Sequence, residues 1–222
     1  MGNRTGEWKD YNEKGKISSV KNYLNDELHG KKITYHDNGK VHTESDMKEG
    51  ENHGVFKRFN NVGELMIQIN YSDNNPEYYT YLDKNNVLVP AIPMNDGNAK
   101  VVAYYSNGNK SVEFELVDGR LINNDNWYYS NGKPTMESRE SFDDTEGEVK
   151  YYYPDGKLKS STIYLHNQEN GPYRSFHPNG KPEREGQYVL GMAHGVFKRY
   201  DINGRLIETQ IYFYDNLIDL KK

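Results

Sequence analysis

The sequence predicts an all-β fold: an elongated single antiparallel sheet of tandem β-hairpin repeats, with about nine units of 24 residues. Glycine returns at this interval, and one degenerate unit centred near Asn86 fills the single gap in the series. An aromatic residue precedes most of these glycines by four positions, and no long stretch has helical spacing. A fixed period of this size is typical of small supersecondary units that bury apolar surface by stacking on their neighbours. The turn glycines are Gly15, Gly39, Gly63, Gly108, Gly132, Gly156, Gly180 and Gly204.

Each turn is predicted to be a three-residue hairpin loop with a G1 bulge. Clear examples read Tyr-Pro-Asp-Gly-Lys at 153–157 and His-Pro-Asn-Gly-Lys at 177–181. Pro154 and Pro178 suit a type I turn, because proline holds φ at about −65°, and the glycine then takes the left-handed conformation. Asn-Gly alone would also suit a two-residue type I′ loop, but the prolines favour the longer loop for all units.

This loop fixes the pairing of the two strands it joins. The residue four before the glycine should pair with the residue two after it, which places aromatic against aliphatic side chains. We expect this row to form the core. Its first members are Tyr11, Tyr35, Phe59, Leu82, Tyr104, Tyr128, Tyr152, Phe176 and Tyr200, and its second members include Ile17, Val41, Leu65, Leu88, Leu158 and Leu206.

Two further positions recur in the units. A third apolar residue lies three before the aromatic, which breaks strict alternation and implies either a bulge or a bend in the first strand. A second glycine lies nine residues before the turn glycine, where positive φ or close backbone approach is expected. The apolar set is Trp8, Phe56, Tyr79, Val101, Val149, Tyr173 and Phe197, and the glycines are Gly6, Gly30, Gly54, Gly147, Gly171 and Gly195.

Residues 1–222 are predicted to form one repeat array. Regular repeats fill 6–71 and 104–213, a degenerate repeat occupies 72–103, and 214–222 form a C-terminal cap. Prolines in the degenerate part disfavour an inner strand. That part either bends the array or presents a loop, or it is a repeat that has drifted without a function.

Composition narrows the classes of function. With 34% hydrophobic residues, the chain could be read as disordered, but 20 Tyr, 7 Phe and 2 Trp favour strands in a thin sheet. A net charge of −5 without a long basic run argues against binding to nucleic acid and also disfavours binding to a membrane. We expect a cytoplasmic location by default, and a periplasmic or secreted one if a leader has been removed.

No motif in the sequence indicates catalysis, a metal site or a cofactor. His-Gly recurs at 29–30, 53–54 and 194–195, but equivalent residues in neighbouring hairpins lie about 10 Å apart, too far to share one zinc ion. The Asp-x-Asn-Gly run at 201–204 lacks the further ligands of a calcium loop. We therefore predict a protein that is not an enzyme.

The units resemble MORN repeats, in the shorter bacterial variant typified by YwqK-like antitoxins. The matching pattern is Gly-x-aromatic-x-x-aromatic-x-x-x-Gly-Lys, best seen at 171–181 and repeated at 195–206, where Arg205 stands for the lysine. The resemblance implies a scaffold or binding surface, and its antitoxin branch implies direct neutralisation of a protein toxin. The leading hypothesis is a non-catalytic protein-binding module, with a structural scaffold or an array that self-associates through its sheet edges as the alternative. A lipid-associated protein is a weaker one.

Five aromatic residues are the candidate partner-binding site. The residue three before the turn glycine is polar in most units but is Tyr105, Tyr129 and Tyr153 in three consecutive ones, with Trp127 and Tyr151 nearby. Stacked hairpins would place the three tyrosines in a stripe suited to a protein interface. The alternative is that they cover the second face of the sheet.

Overall fold

The computed structural model describes residues 3–222 as antiparallel strands joined by short turns. Twenty-one strands follow one another, with one 3-10 turn at Asn95–Gly97 and no α-helix in the described part of the chain. The all-β class and the consecutive antiparallel hairpins are therefore confirmed.

The strands form two sheets, so the prediction of a single sheet is wrong. The first sheet contains eight strands in chain order: β1 (Gly6–Tyr11), β2 (Ile17–Leu24), β3 (Glu27–Tyr35), β4 (Val41–Lys48), β5 (Glu51–Phe59), β6 (Leu65–Ser72), β7 (Asn75–Thr80) and β8 (Ile92–Pro93).

The second sheet contains the remaining thirteen strands. They are β9 (Ala99–Tyr104), β10 (Lys110–Val117), β11 (Arg120–Tyr128), β12 (Pro134–Ser141), β13 (Asp144–Thr145), β14 (Gly147–Tyr152), β15 (Leu158–Leu165), β16 (Gln168–Phe176), β17 (Pro182–Val189), β18 (Met192–Ala193), β19 (Gly195–Tyr200), β20 (Leu206–Phe213) and β21 (Asn216–Lys221).

The break between the sheets lies in the degenerate segment 72–103. β8 is only two residues long, and Pro90 and Pro93 lack the N–H groups that a further strand would need. Beyond them Asn95 and Asp96 take positive φ. The chain also divides into two compact units: the first runs to Val112 and includes Leu116–Gly119, and the second contains Glu113–Glu115 and Arg120–Lys222. One continuous array over residues 1–222 stays a prediction.

The predicted turn is confirmed at all nine positions of the series. At Gly180, whose φ is 85°, the glycine N–H donates to the His177 carbonyl, and the His177 N–H donates to the Lys181 carbonyl, both at 2.8 Å. The same two hydrogen bonds recur in each unit, and Asn86 takes the glycine's place in the degenerate one with φ 60°. This is a type I turn closed by a G1 bulge.

The predicted strand pairing is also confirmed, and it resolves the irregular spacing. Tyr200 pairs with Leu206 while Arg199 pairs with Glu208, so the extra residue, Ile207, lies in the second strand. The first strand alternates normally, and Phe197 and Tyr200 therefore project from opposite faces.

The aromatic–aliphatic row is not the core, contrary to expectation. Tyr11 is 60% exposed and Leu206 is 53% exposed, because this row lies at the strand ends beside the turns. Four members of the third apolar position, in the middle of the strands, are instead deeply buried: Tyr79, Val101, Val149 and Phe197 are at most 5% exposed, whereas Trp8 is 48% exposed. Mid-strand residues have side-chain neighbours on both strands and along their own strand, which removes more of their surface from water.

Phe197 shows how this buried face packs. Its ring lies 5.4 Å from the rings of Tyr188 and Tyr212, and the Arg184 guanidinium stacks 4.8 Å from its centre. Gly186, on the neighbouring strand, leaves the space that the ring occupies. We call this side of the second unit, which also carries Val149, Thr162 and Ser175, the buried face.

Side chains of five turns bind the next turn along the chain. The Lys181 ammonium donates to the Asn203 carbonyl at 2.8 Å, and the Asn179 amide donates to the Ile202 carbonyl at 2.7 Å. Four more lysines that follow a turn glycine donate to a carbonyl of the next turn at 2.5–3.3 Å: Lys16, Lys40, Lys133 and Lys157. The Asn-Gly-Lys motif therefore serves both the turn and the coupling between units.

At the strand ends away from the glycine turns, successive hairpins are joined by two-residue turns that were not predicted from the sequence. Both central residues take positive φ, as in a type I′ turn, even where they are His166 and Asn167 or Phe142 and Asp143. The recurring second glycines have the predicted positive φ, but Gly30 lies inside β3, close to a register shift. These glycines accommodate bulges in or beside strands rather than connections between hairpins.

Replacing Gly186 with alanine should destabilise the second unit. The added methyl would overlap the Phe197 ring, and such overpacking costs about 1–3 kcal/mol. Chemical denaturation would show this as a lower midpoint. Thr162→Ala, at the equivalent position, is the control, and Phe197→Leu should relieve the clash in the double variant. An unchanged midpoint for Gly186→Ala would contradict this packing.

His42 should make the first unit sensitive to mild acid. Burial, assisted by the nearby Arg58 charge and by His36, lowers its pKa to about 4 from the ordinary 6.5. The unfolded chain therefore binds the proton first, and stability falls as pH drops through the interval between these two values.

From about pH 7 to about pH 5 the loss attributable to His42 should be about 1 kcal/mol, because the ring is only half-buried. Denaturation of wild type and His42→Gln at both pH values would measure it. Equal losses in the two proteins would exclude His42 as the cause.

Candidate functional site

The structure assigns packing roles to the predicted tyrosine stripe. Tyr105 is only 2% exposed, so its side chain cannot be part of an exposed stripe. The Tyr129 hydroxyl donates to the Tyr152 carbonyl at 2.9 Å, and the Tyr153 hydroxyl donates to the Phe176 carbonyl at 2.6 Å. Burial raises the pKa of both hydroxyls, which keeps them protonated as donors.

His36 and His177 occupy the same repeat position and contact the carbonyls of Phe59 and Tyr200 in the same way. At this repeat position, tyrosine and histidine are therefore alternative side chains that connect one 24-residue repeat to the next by a hydrogen bond. Partner binding by Tyr129 and Tyr153 stays a prediction.

The two other predicted aromatics lie on the buried face. Trp127 and Tyr151 both pair with Met136, one from each neighbouring strand. Tyr151 remains 41% exposed, whereas Trp127 is partly buried. Since both flank one methionine, they contribute to packing, and contact with a partner stays a prediction for them as well.

The opposite side of the second unit carries a continuous row of polar side chains. Direct cross-strand pairs connect its members, so all of them point to the same side. We call this row and the side chains around it the open face. The row reads Asn126, Glu137, Lys150, Ser161, Arg174, Glu185, Lys198, Thr209 and Lys221.

Tyrosine hydroxyls hold the two carboxylates of this row. Tyr200 donates to Glu185 at 3.0 Å, and Tyr152 donates to Glu137 at 2.6 Å. Desolvation and the adjacent Glu137 raise the pKa of Tyr152, so it stays a donor at neutral pH. Position 161 is serine, and the matching aromatic there is Phe176, which has no hydroxyl to donate.

Two shallow grooves open on this face at equivalent repeat positions. The first has a volume of about 420 Å³ and is lined by residues that include Pro172, Arg174, Glu185, Gln187, Val196 and Lys198. The second, about 300 Å³, is lined by Asn124, Asn126, Glu137, Ser138, Arg139, Glu148 and Lys150. The recurrence follows from the repeat, because equivalent side chains leave equivalent gaps.

The two grooves differ in charge. In the second, Lys150 pairs with Glu148 at 3.0 Å. In the first, the exposed Arg174 and Lys198 have no ion-pair partner within residues 3–222, although Glu185 lies on the strand between them. The first groove therefore carries an excess of positive charge on a chain whose net charge is −5.

This row was not predicted from the sequence, although its signal is present there. Lys150, Arg174 and Lys198 each lie six residues before a turn glycine, at 24-residue intervals. Only the register shows that Glu137 and Glu185 alternate with them across the sheet.

Within the described part of the chain there is no candidate metal cluster and no candidate membrane-spanning helix. No cluster of three or more His, Asp or Glu side chains is arranged to hold an ion within residues 3–222. Asp201 instead accepts the N–H groups of Asn203 and Arg205, at 2.9 and 2.8 Å, and so closes its own turn. The same residues include no helix long and apolar enough to cross a bilayer.

Comparison with known proteins identifies the repeat. Residues 4–25, 28–49, 145–166 and 169–189 match the family model of the MORN repeat variant. No curated protein matches the chain.

Several solved structures are similar at 12% identity and a TM-score of 0.15. They include the crystal structures of TcdB2-TccC3-TEV and of TcdB2-TccC3 without its hypervariable C-terminal region, each matched over 93% of this chain. The structure of TcdB2-TccC3-Cdc42 is matched over 89%. The chain spans only 14–15% of the length of those chains.

Tyr153→Phe should lower the free energy of unfolding by about 1 kcal/mol, because the Phe176 carbonyl loses its donor. Urea denaturation would measure this loss. Tyr173→Phe is the control, since the Tyr173 hydroxyl forms no hydrogen bond within residues 3–222. Equal stability of Tyr153→Phe and wild type would contradict the bridging role.

Proposed function

Because four segments of the chain match the MORN repeat variant, we propose that it is a non-catalytic module that binds a partner protein through its open face. Arrays of this repeat are modules for binding or membrane association. The observation that carries the proposal is the pair of grooves at equivalent repeat positions on one exposed face. A partner could contact both without any rearrangement of the sheet.

The chemistry of the open face suits a protein partner. It combines exposed cations with apolar groups such as Val196, which is 49% exposed, and Pro172. Mixed surfaces of this kind are common at protein interfaces. Both grooves are shallow and open, whereas pockets for small molecules bury most of their ligand.

The specific role we propose is that of an antitoxin or immunity protein. The partner would be a toxin, and binding across the open face would block the toxin surface that it covers. This role rests on the resemblance of the repeats to those of YwqK-like antitoxins and on the binding surface described above.

A second proposal, self-association, is favoured by β21. This strand is the last in its sheet among residues 3–222. Its side chains Leu217, Ile218 and Leu220 are 50%, 64% and 44% exposed. An exposed apolar edge can pair with the edge of a second copy. Light scattering would test this, since a monomer at all concentrations would exclude it.

A blocking substitution tests the proposed binding face. Ser161 lies in the open-face row between Lys150 and Arg174, and Ser161→Trp would obstruct a partner there. A protein captured from the source cells by wild type would be purified and its affinity measured by calorimetry. Ser161→Trp should weaken binding about tenfold or more, since a bulky side chain would break close packing.

Val20→Trp is the matched control, because Val20 occupies the same repeat position in the first unit. It should leave the affinity unchanged. Equal affinity of wild type and Ser161→Trp for the purified partner would contradict binding through the open face.

A further inference from the structure

We propose that the groove between Arg174 and Lys198 takes a carboxylate-bearing segment of the partner protein, an inference that rests on the proposed protein-binding function. Arg174 pairs with Glu185, and Glu185 pairs with Lys198, so the two cations stand on one face two strands apart. That separation is about 10 Å between backbones. Both side chains are exposed and can converge on an anion between them.

The position of Glu185 would ordinarily neutralise this site. A carboxylate between two cations across a sheet is expected to form ion pairs with them. Here the Tyr200 hydroxyl donates to Glu185 at 3.0 Å, and neither Arg174 nor Lys198 forms a salt bridge with it within the described chain. Tyr200 thus directs the internal carboxylate away from the cations, which leaves them available for an external one.

The surroundings match an acidic peptide segment. Pro172 and Val196 offer apolar surface for the methylene groups of a Glu side chain, and Gln187 offers an amide donor. The row continues as Ser161 and Lys150 on one side and as Thr209 and Lys221 on the other.

Cations therefore recur about every 10 Å across the strands. An extended chain advances about 3.4 Å per residue, so acidic residues three apart would follow these cations.

A labelled peptide of sequence Glu-Gly-Gly-Glu-Gly-Gly-Glu is the probe for this site. Fluorescence polarisation at low salt should show binding to wild type and about tenfold weaker binding to Arg174→Ala/Lys198→Ala, because each cation contributes a charge-assisted contact. Lys9→Ala/Lys57→Ala is the matched control. It removes two cations from the equivalent repeat position in the first unit and changes the net charge equally.

The role of Tyr200 is tested separately, by peptide binding to variants of Tyr200 and Glu185. Tyr200→Phe should weaken peptide binding, because the released Glu185 can then pair with the cations. Glu185→Gln should strengthen it, and the double variant should bind like Glu185→Gln. A Tyr200 that acts only through packing would weaken binding by the same factor in both backgrounds.

Several results would overturn this proposal. One is equal binding of the peptide by wild type and Arg174→Ala/Lys198→Ala, and another is an equal loss in Lys9→Ala/Lys57→Ala. Stronger binding of inorganic phosphate or of phosphatidylserine vesicles than of the peptide would show that the groove serves a different anion.

The acidic-segment inference can be wrong while the proposed protein-binding function is correct, and one comparison distinguishes the two. If the purified partner binds Arg174→Ala/Lys198→Ala unchanged but is blocked by Ser161→Trp, the open face is the interface and only the acidic-segment inference fails.

Discussion

The left-handed conformation of the turn glycine is the constraint on which the rest of the structure depends. Gly180 and its counterparts take a positive φ that a side chain would oppose, and the resulting loop permits one register between the strands it joins. Because side chains alternate along a strand, that register assigns every residue of a unit to one face or the other. Burial, coupling between units and the open face all follow from it.

A single layer of strands buries little apolar surface, so the units rely on contacts with their neighbours. On the buried face an aromatic ring packs over a small residue of the next strand, as Phe197 does over Gly186. At the turns, lysine, asparagine, tyrosine and histidine side chains donate to carbonyls of the following unit. These side chains stabilise the contacts between repeats. Tyr129 and Tyr153, which the sequence suggests as an interface, therefore have a packing role.

The open face, which we propose for binding, carries charges that are arranged by the same repeat. Both glutamates of the open-face row, Glu137 and Glu185, accept a hydrogen bond from a tyrosine of the next 24-residue repeat. At Lys150 a neighbouring Glu148 completes the neutralisation, whereas Arg174 and Lys198 have no such neighbour. A departure of one or two side chains from the repeat is enough to create a distinct charged groove without any change in the backbone.

The sequence by itself determined the period, the turn type and the strand pairing, because these depend on local backbone preferences of Gly, Pro and Asn. The tertiary structure decided which aromatic position is buried, since Tyr200 and Phe197 project from opposite faces of the sheet and lie at different distances from the strand ends. It also decided the buried position of Tyr105 and the alternation of Glu185 with Arg174 and Lys198. Those outcomes depend on contacts between residues distant in the chain, which a local pattern does not contain.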